Sequence, residues 1–367
     1  MIDAAFWRGR PVFLTGHTGF KGAWLSLLLS RLGAEVHGFA LPPEHDNGLF
    51  RVAGVEALTR HEIGDIRDLD ALRSAMTRAR PSIVIHMAAQ SLVRRSYVEP
   101  AETYATNVMG TVNVLEALRT TPSAAAAIIV TSDKCYENTS TSRPYTEEDR
   151  FGGHDPYSNS KGCAELVTDA YRRSFFSAPA ACPVASARAG NVIGGGDWAQ
   201  DRLVPDVMRA FMDDQPLVIR NPRSIRPWQH ALDPLVGYLI LAQHLVAEGG
   251  RFAQGWNFGP EAESEVPVEV LVSQLASLWG HGARWREAGG EHPHEAAILR
   301  LDCAKAKAGL GWRPVLGLGG ALRYTVEWYT AYRDEGDIRV VTMRQIDDFL
   351  SLTTAQKHGR AQRATPL

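Results

Sequence analysis

The chain reads as an α/β protein, a doubly wound parallel sheet joined to a smaller mixed C-terminal region. Three observations point there. A short apolar strand runs straight into a glycine-spaced turn and an apolar helix. Strand and helix patterns then alternate through the first half, which implies parallel strands joined by crossover helices. Finally, each group of reactive side chains follows the C-terminal end of a strand, where open α/β sheets hold their ligands.

Pro11 to Thr15 is the first strand, with V-F-L-T entering the turn Gly16–Gly19–Gly22. Gly22 to Leu32 carries apolar residues at helical spacing and ends at Gly33. Glu35 to Ala40 is the second strand, stopped by Pro42-Pro43. Ser82 to His86, S-I-V-I-H, is a further buried strand, followed by Met87-Ala88-Ala89. Asn107 to Leu118 reads as a helix, and Ala127 to Thr131 as a strand that delivers Ser132, Asp133 and Lys134 at its end. These elements make residues 1–189 a Rossmann-type dinucleotide-binding domain. From about Ala189 the pattern turns irregular and polar: G-G-G-D-W, the stretch Arg220 to His230 and residues 289–295 read as loops over a cleft. Leu232 to Val246 and Trp256 to Gly259 return a helix and a strand to the first domain. Residues 190–231 and 260–355 then form the second domain, and 356–367 a flexible tail.

A length of 367 residues suits two domains. Hydrophobic content of 45% and charge of 22% are those of an ordinary globular protein. A net charge of −2 gives no electrostatic reason to expect nucleic acid or an anionic membrane, and no apolar run is long enough to span a bilayer. The four cysteines lack metal or disulfide spacing, so no metal is expected and the chain reads as a cytoplasmic protein with reduced thiols. Cys135 and Cys163, beside the reactive segments, read as small fillers.

The glycine turn has a physical task. Backbone amides at a helix start can face a pyrophosphate, and glycines let phosphate approach without a Cβ in the way. Gly16, His17, Gly19, Phe20, Lys21 and Gly22 are therefore candidate cofactor residues. The acid that would bind the ribose after the second strand is missing, since Phe39, Ala40, Leu41 and Pro42 stand there. No arginine replaces it, so NAD and NADP both remain open at this strand. Asp65-Ile66 fits an adenine contact or, for Asp65, a helix N-cap.

Tyr157 and Lys161 are four apart and share one helix face. A free tyrosine, with a pKa of about 10, is a poor base at neutral pH. A fixed ammonium and a positive nicotinamide favour its phenolate. T-S-D-K adds a carboxylic acid and a second amine, the groups needed to remove water from a sugar between two hydride transfers.

From T-G-H-T-G-F-K-G at Thr15 through H-M-A-A-Q, N-V-M-G-T, T-S-D-K-C-Y, D-P-Y-S-N-S-K-G-C-A-E, R-A-G-N-V-I-G-G-G-D-W, R-P-W-Q-H, G-W-N-F-G-P and H-P-H-E-A, the chain resembles the extended short-chain dehydrogenase/reductase family. Within it, the resemblance is to the CDP-glucose 4,6-dehydratases. It implies a homo-oligomer, a dimer or tetramer, in which the helices after Asn107 and Tyr157 are candidates for pairing. It also implies a retained NAD, with Ala88, Ala89 and Asn107 added to the cofactor residues. The implied substrate is CDP-D-glucose and the product CDP-4-keto-6-deoxy-D-glucose, destined for deoxysugar and surface-polysaccharide synthesis. The implied catalytic set is Ser132, Asp133, Lys134, Tyr157 and Lys161. Asp133 would protonate the departing hydroxyl. Lys134 stands where dTDP-sugar relatives have glutamate, and is either the C5 base or the ion-pair partner that orients Asp133. The implied substrate contacts are Gln90, Ser91, Asn191, Arg202, Leu203, Arg220, Arg226 and His292, with Arg226 gripping phosphate, while Arg202 and Arg220 read equally as surface charges. Trp198 and Trp228 are candidates to stack on a base, whereas Trp256 reads as core. An epimerase or 4-ketoreductase of the same fold needs no acid at C6, so Asp133 argues against both. Intact Tyr157 and Lys161 argue against a non-catalytic dinucleotide-binding protein.

Overall fold

The computed structural model describes residues 2–139, 143–280, 282–287 and 299–363. Its centre is a parallel sheet of β1 (Pro11–Thr15), β2 (Glu35–Ala40), β3 (Arg60–Ile63), β4 (Ile83–His86), β5 (Ala126–Val130), β6 (Val184–Ala189) and β7 (Gly255–Phe258). The order is β7-β6-β5-β4-β1-β2-β3. After β3 the chain crosses to the other side of β1, so a crevice opens between the ends of β1 and β4, the topological switch point of a doubly wound sheet. Thr15 pairs with both Phe39 and His86 at that level.

Strand periodicity explains the two faces. Val12 and Leu14 of β1, with Ile83 and Ile85 of β4, join one core cluster. Phe13, Val84 and Ile129 point the other way into a second. The first cluster is covered by α1 (Phe20–Arg31) and by elements from the C-terminal part of the chain. Burial on nearly all sides explains why residues Gly22 through Leu29 are buried without a polar face. The second cluster is covered by α2 (Leu69–Ala79), α3 (Gly110–Arg119) and α4 (Pro156–Phe175).

Helix α3 begins later than its periodicity predicts. Ala105–Met109 forms a π-helical turn before it. A Cβ at Gly110 would lie 2.4 Å from Ile66 Cδ1, so the helix start is pressed against the loop after β3. Beyond β6 come α5 (Leu203–Met212), α6 (Leu232–Glu248), α7 (Val268–Trp279), α8 (Leu318–Arg333) and α9 (Ile338–Arg363). Three two-stranded pairs accompany them: Val192–Ile193 with Gln229–His230, Ile225–Pro227 with Glu265–Pro267, and Leu217–Ile219 with Trp285–Glu287. Helix α9 runs through much of the segment expected to be a flexible tail. Among the described residues no helix is long and apolar enough to cross a membrane.

Candidate active site

The C-terminal ends of β1, β4, β5 and β6 open into one cleft of about 1220 Å³. That exceeds the roughly 300–1,000 Å³ of a usual single-ligand pocket and leaves room for two large ligands. Its floor is the glycine turn. Gly16 has φ +78°, and a Cβ there would meet Ala88 N at 2.7 Å. At Gly22 a Cβ would lie 2.0 Å from Gly16 O, so both glycines let backbones pack. Gly19 differs, because a Cβ would meet only Gly16 O at 3.5 Å, and the residue lines the cleft. It is the N-cap of α1, and no side chain caps that helix start. Free helix amides behind an open glycine fit a pyrophosphate.

Phe20, Lys21, Asp65, Ile66, Ala88 and Ala89 line the same cleft. Asp65 accepts from Arg67 N and its guanidinium, and those bonds hold its carboxyl below the usual value. The N-cap of α2 is Asp68, not Asp65. Two expected cofactor residues lie behind the wall instead. His17 is buried against Phe50 and bonds His61 at 2.6 Å. Asn107 accepts from Gln90 N and donates to Gln90 O and Ser160 Oγ, a clamp between the β4 loop and α4.

The N-terminus of α4 is set by D-P-Y-S. Asp155 caps Ser158 N at 2.9 Å, with Pro156 in the first turn. This places Tyr157, Lys161 and Glu165 on one buried face. Glu165 receives Arg188 Nε and Nη2, both at 2.9 Å, together with Ser186 and Thr131. Burial alone would raise Glu165, but Arg188 and these bonds bring it below its ordinary value. Burial pushes Lys161 down to about 8, against the pull of Glu165. Among the protein's own groups, burial also dominates at Tyr157 and pushes it up to about 12. The lowering influences are the Ser132 hydroxyl and Arg202 rather than Lys161. Lys21, which donates to Tyr238 Oη, is brought down to about 7 by burial, Lys161 and Arg202.

Ser132 follows β5 in extended conformation and caps a short turn at Asp133–Cys135. Its hydroxyl donates to Asp133 Oδ1 at 2.8 Å and accepts from Lys134 N. Lys134 Nζ lies 3.5 Å from Asp133 Oδ1, with Asp133 fully buried and Lys134 31% exposed. Asp133 Oδ2 is buried, without a hydrogen-bond partner among the described residues.

The far wall carries Asn191, Leu203, Arg220 and Arg226, and Ser91 lines the cleft from the loop after β4. Arg202 spans the cleft, pairing with Asp197 at 3.0 Å and donating to Ser91 Oγ at 2.6 Å. Gln90 lines the cleft, but its amide is engaged by Leu92 and Thr103. Arg220 lies 3.7 Å from Asp201. Trp228 also lines the cleft, whereas Trp198 packs on Tyr329 and Tyr332, and Trp256 on Phe252. His292 lies outside the described residues. Sequence reading missed Glu44, Gly190 and the Glu165–Arg188 pair. Only the last had a linear signal, a carboxylate one turn beyond Lys161.

Known proteins resemble the chain over most of its length. The model of the GDP-mannose 4,6 dehydratase family matches residues 13–324. A CDP-glucose 4,6-dehydratase of Salmonella typhimurium is 51% identical over 96% of this chain and 100% of that protein. A dTDP-glucose 4,6-dehydratase of Haemophilus influenzae is 28% identical over 72% of this chain and 81% of its own length. Among solved structures, the dTDP-glucose 4,6-dehydratase DesIV of Streptomyces venezuelae, with NAD and TYD bound, has a TM-score of 0.74 at 24% identity. It covers 89% of this chain and 99% of that one. The epimerase Mth375 of Methanothermobacter thermautotrophicus has a TM-score of 0.78 at 22% identity, over 92% of this chain and 96% of that one. At these identities, both likenesses speak to the fold.

Proposed function

The chain belongs to the GDP-mannose 4,6-dehydratase family, and on that premise we infer that it converts CDP-D-glucose to CDP-4-keto-6-deoxy-D-glucose and water. The likeness to the Salmonella enzyme across nearly the whole chain carries this reading. The cofactor is NAD, which supplies a hydride acceptor for C4, a hydride donor for C6 and, while oxidised, a positive ring charge favouring the Tyr157 phenolate. Glu44, lining the cleft beyond β2, supports NAD over NADP, because a carboxylate there repels a 2′-phosphate. The uncapped start of α1 and the open face of Gly19 would hold the pyrophosphate.

The protein's groups then divide the work. Tyr157 takes the 4-hydroxyl proton, with the Ser132 hydroxyl favouring its phenolate and Lys161 one turn behind. The resulting ketone acidifies the C5 hydrogen. Lys134 takes that proton, the C6–O bond breaks, and Asp133 protonates the departing hydroxide so that it leaves as water. A proton returns to C5 as hydride reaches C6. Residues 190–231 and 260–355 form the sugar-nucleotide domain, with Arg226 and Arg220 facing the diphosphate and Asn191, Arg202 and Leu203 the sugar side of the cleft.

We assign the protein to the cytoplasm and to a homo-oligomer. Met109 and Leu166, exposed at 52% and 58%, give the segments after Asn107 and Tyr157 apolar surface to bury. The test of function is incubation with CDP-glucose, dTDP-glucose, UDP-glucose and GDP-glucose. The expected result is the alkali-induced absorbance of a 4-keto-6-deoxy sugar from CDP-glucose, and its absence there would overturn the reading.

A further inference from the structure

We propose that Gly190 is a positioning residue for water elimination: the side chain it lacks is the space that the Asp133 carboxyl occupies. A Cβ at Gly190 would lie 2.3 Å from Asp133 Oδ2, 2.8 Å from its Cγ and 3.3 Å from its Cβ. Those are its three nearest neighbours, so the conflict falls on this one side chain. The backbone does not itself call for glycine, because Gly190 is not among the residues with positive φ. At Gly16 and Gly22 the missing side chains make room for backbone, whereas at Gly190 the missing side chain makes room for another side chain.

Neither partner is placed to yield. Gly190 O accepts from Gln229 Nε2 at 3.2 Å, and the next carbonyl, Asn191 O, accepts from Gln229 N at 3.3 Å. Gln229 is fully buried and also donates to Phe258 O at 2.9 Å, which ties the segment after β6 to β7. On the other side, Asp133 is fully buried, with Oδ1 held by Ser132. Oδ2 has no hydrogen-bond partner among the described residues. A buried carboxyl oxygen left unsatisfied is costly and is completed by whatever polar group enters beside it. A methyl at position 190 occupies the place of that oxygen and forces the carboxyl to turn, breaking the Ser132 bond or withdrawing Oδ2. Ser132, Tyr157 and Lys161 are not among the three atoms nearest to it, all of which belong to Asp133. Oxidation at C4 is therefore spared.

The proposal rests on the reading of Asp133 as the donor to the leaving hydroxyl, and its test separates the two. Gly190→Ala should form the 4-keto sugar in a first turnover as the parent does, which also reports a folded site. It should dehydrate about 100-fold more slowly or worse, the loss expected when a general acid is displaced. With no carboxyl to displace, in an Asp133→Ala background, adding Gly190→Ala should change elimination by less than about twofold, as for two changes acting through one group. Gly190→Ala dehydrating at the parental rate overturns the proposal. So does equal loss of oxidation and elimination, or losses that multiply in the double variant. Asp133→Ala turning over normally overturns the reading of Asp133 and the proposal together, whereas a stall there with a normal Gly190→Ala overturns the proposal alone.

Discussion

The two corners of the catalytic cleft are built differently. At the oxidation corner, Tyr157 and Lys161 stand on a capped helix of 20 residues, pinned to β5 and β6 by the Glu165–Arg188 pair and its satellite bonds. At the elimination corner, Asp133 and Lys134 stand on a three-residue turn, held among the described residues by a Ser132 bond and a 3.5 Å ion pair, with a carboxyl oxygen there unpaired. The first corner is over-determined, and a shared fold can keep it while the chemistry after oxidation changes. The second depends on a few atoms, and that is where one family member can differ from another.

The largest effect should come from the first corner. Tyr157→Phe removes the proton acceptor and leaves the fold intact, so C4 oxidation fails and every later step with it. A single-turnover experiment with CDP-glucose should show neither ketone nor reduced cofactor. Parental turnover in this variant would make the corner's rigidity irrelevant to catalysis. Next comes Asp133→Asn, which acts only after oxidation. Dehydration should fall about 100- to 10,000-fold, the usual range for a lost general acid. The 4-keto-glucose and reduced cofactor should accumulate in that variant, and their absence would mean that the corners are not separable. Smaller again is Arg226→Ala, on the far wall. Losing one charge-assisted contact, worth roughly 1.5–3 kcal/mol, should weaken CDP-glucose binding by about 10- to 100-fold while NAD binding holds. Calorimetry with each ligand checks this, and equal losses would make Arg226 structural.

The contrast also decides what the sequence could reveal. Strand β1, the glycine turn and α1 are legible because an apolar period switches from strand to helix across the turn. The Asp155 cap and Pro156 mark the helix that carries Tyr157 as plainly. Strand β6 is hidden: V-A-S-A-R-A has small residues and an arginine where a buried strand would show branched apolars, because Arg188 is spent on Glu165. Strand β3, R-H-E-I, is an edge strand whose polar, partly exposed residues carry no core signal. Asn107 is a cofactor contact only by family resemblance, and its amide is engaged in clamping Gln90 and Ser160. Gly190 left no trace at all, since its partner lies 57 positions away in number and touches it only in space.

The smallest effect expected is that of Lys134→Glu, and it is the sharpest probe of the weaker corner. If Lys134 takes the C5 proton, a carboxylate at the same position offers another base of similar reach, and dehydration should stay within about tenfold of the parent. Lys134→Met offers none, and should lose about 100-fold in elimination with oxidation preserved, the lower end of what a general base contributes. The opposite pattern follows if Lys134 serves only to orient Asp133 across 3.5 Å. An ion pair with one partner 31% exposed is worth little, about 1 kcal/mol or less, so methionine would then be tolerated. Glutamate would be the damaging change, because it places like charge beside a buried carboxyl. The rank order of the two variants in a single-turnover dehydration assay therefore decides the role of Lys134. Methionine above glutamate would move the C5 base elsewhere in the cleft, with Lys21 the nearest alternative in chemistry, a partly buried amine brought down to about 7 by desolvation, Lys161 and Arg202.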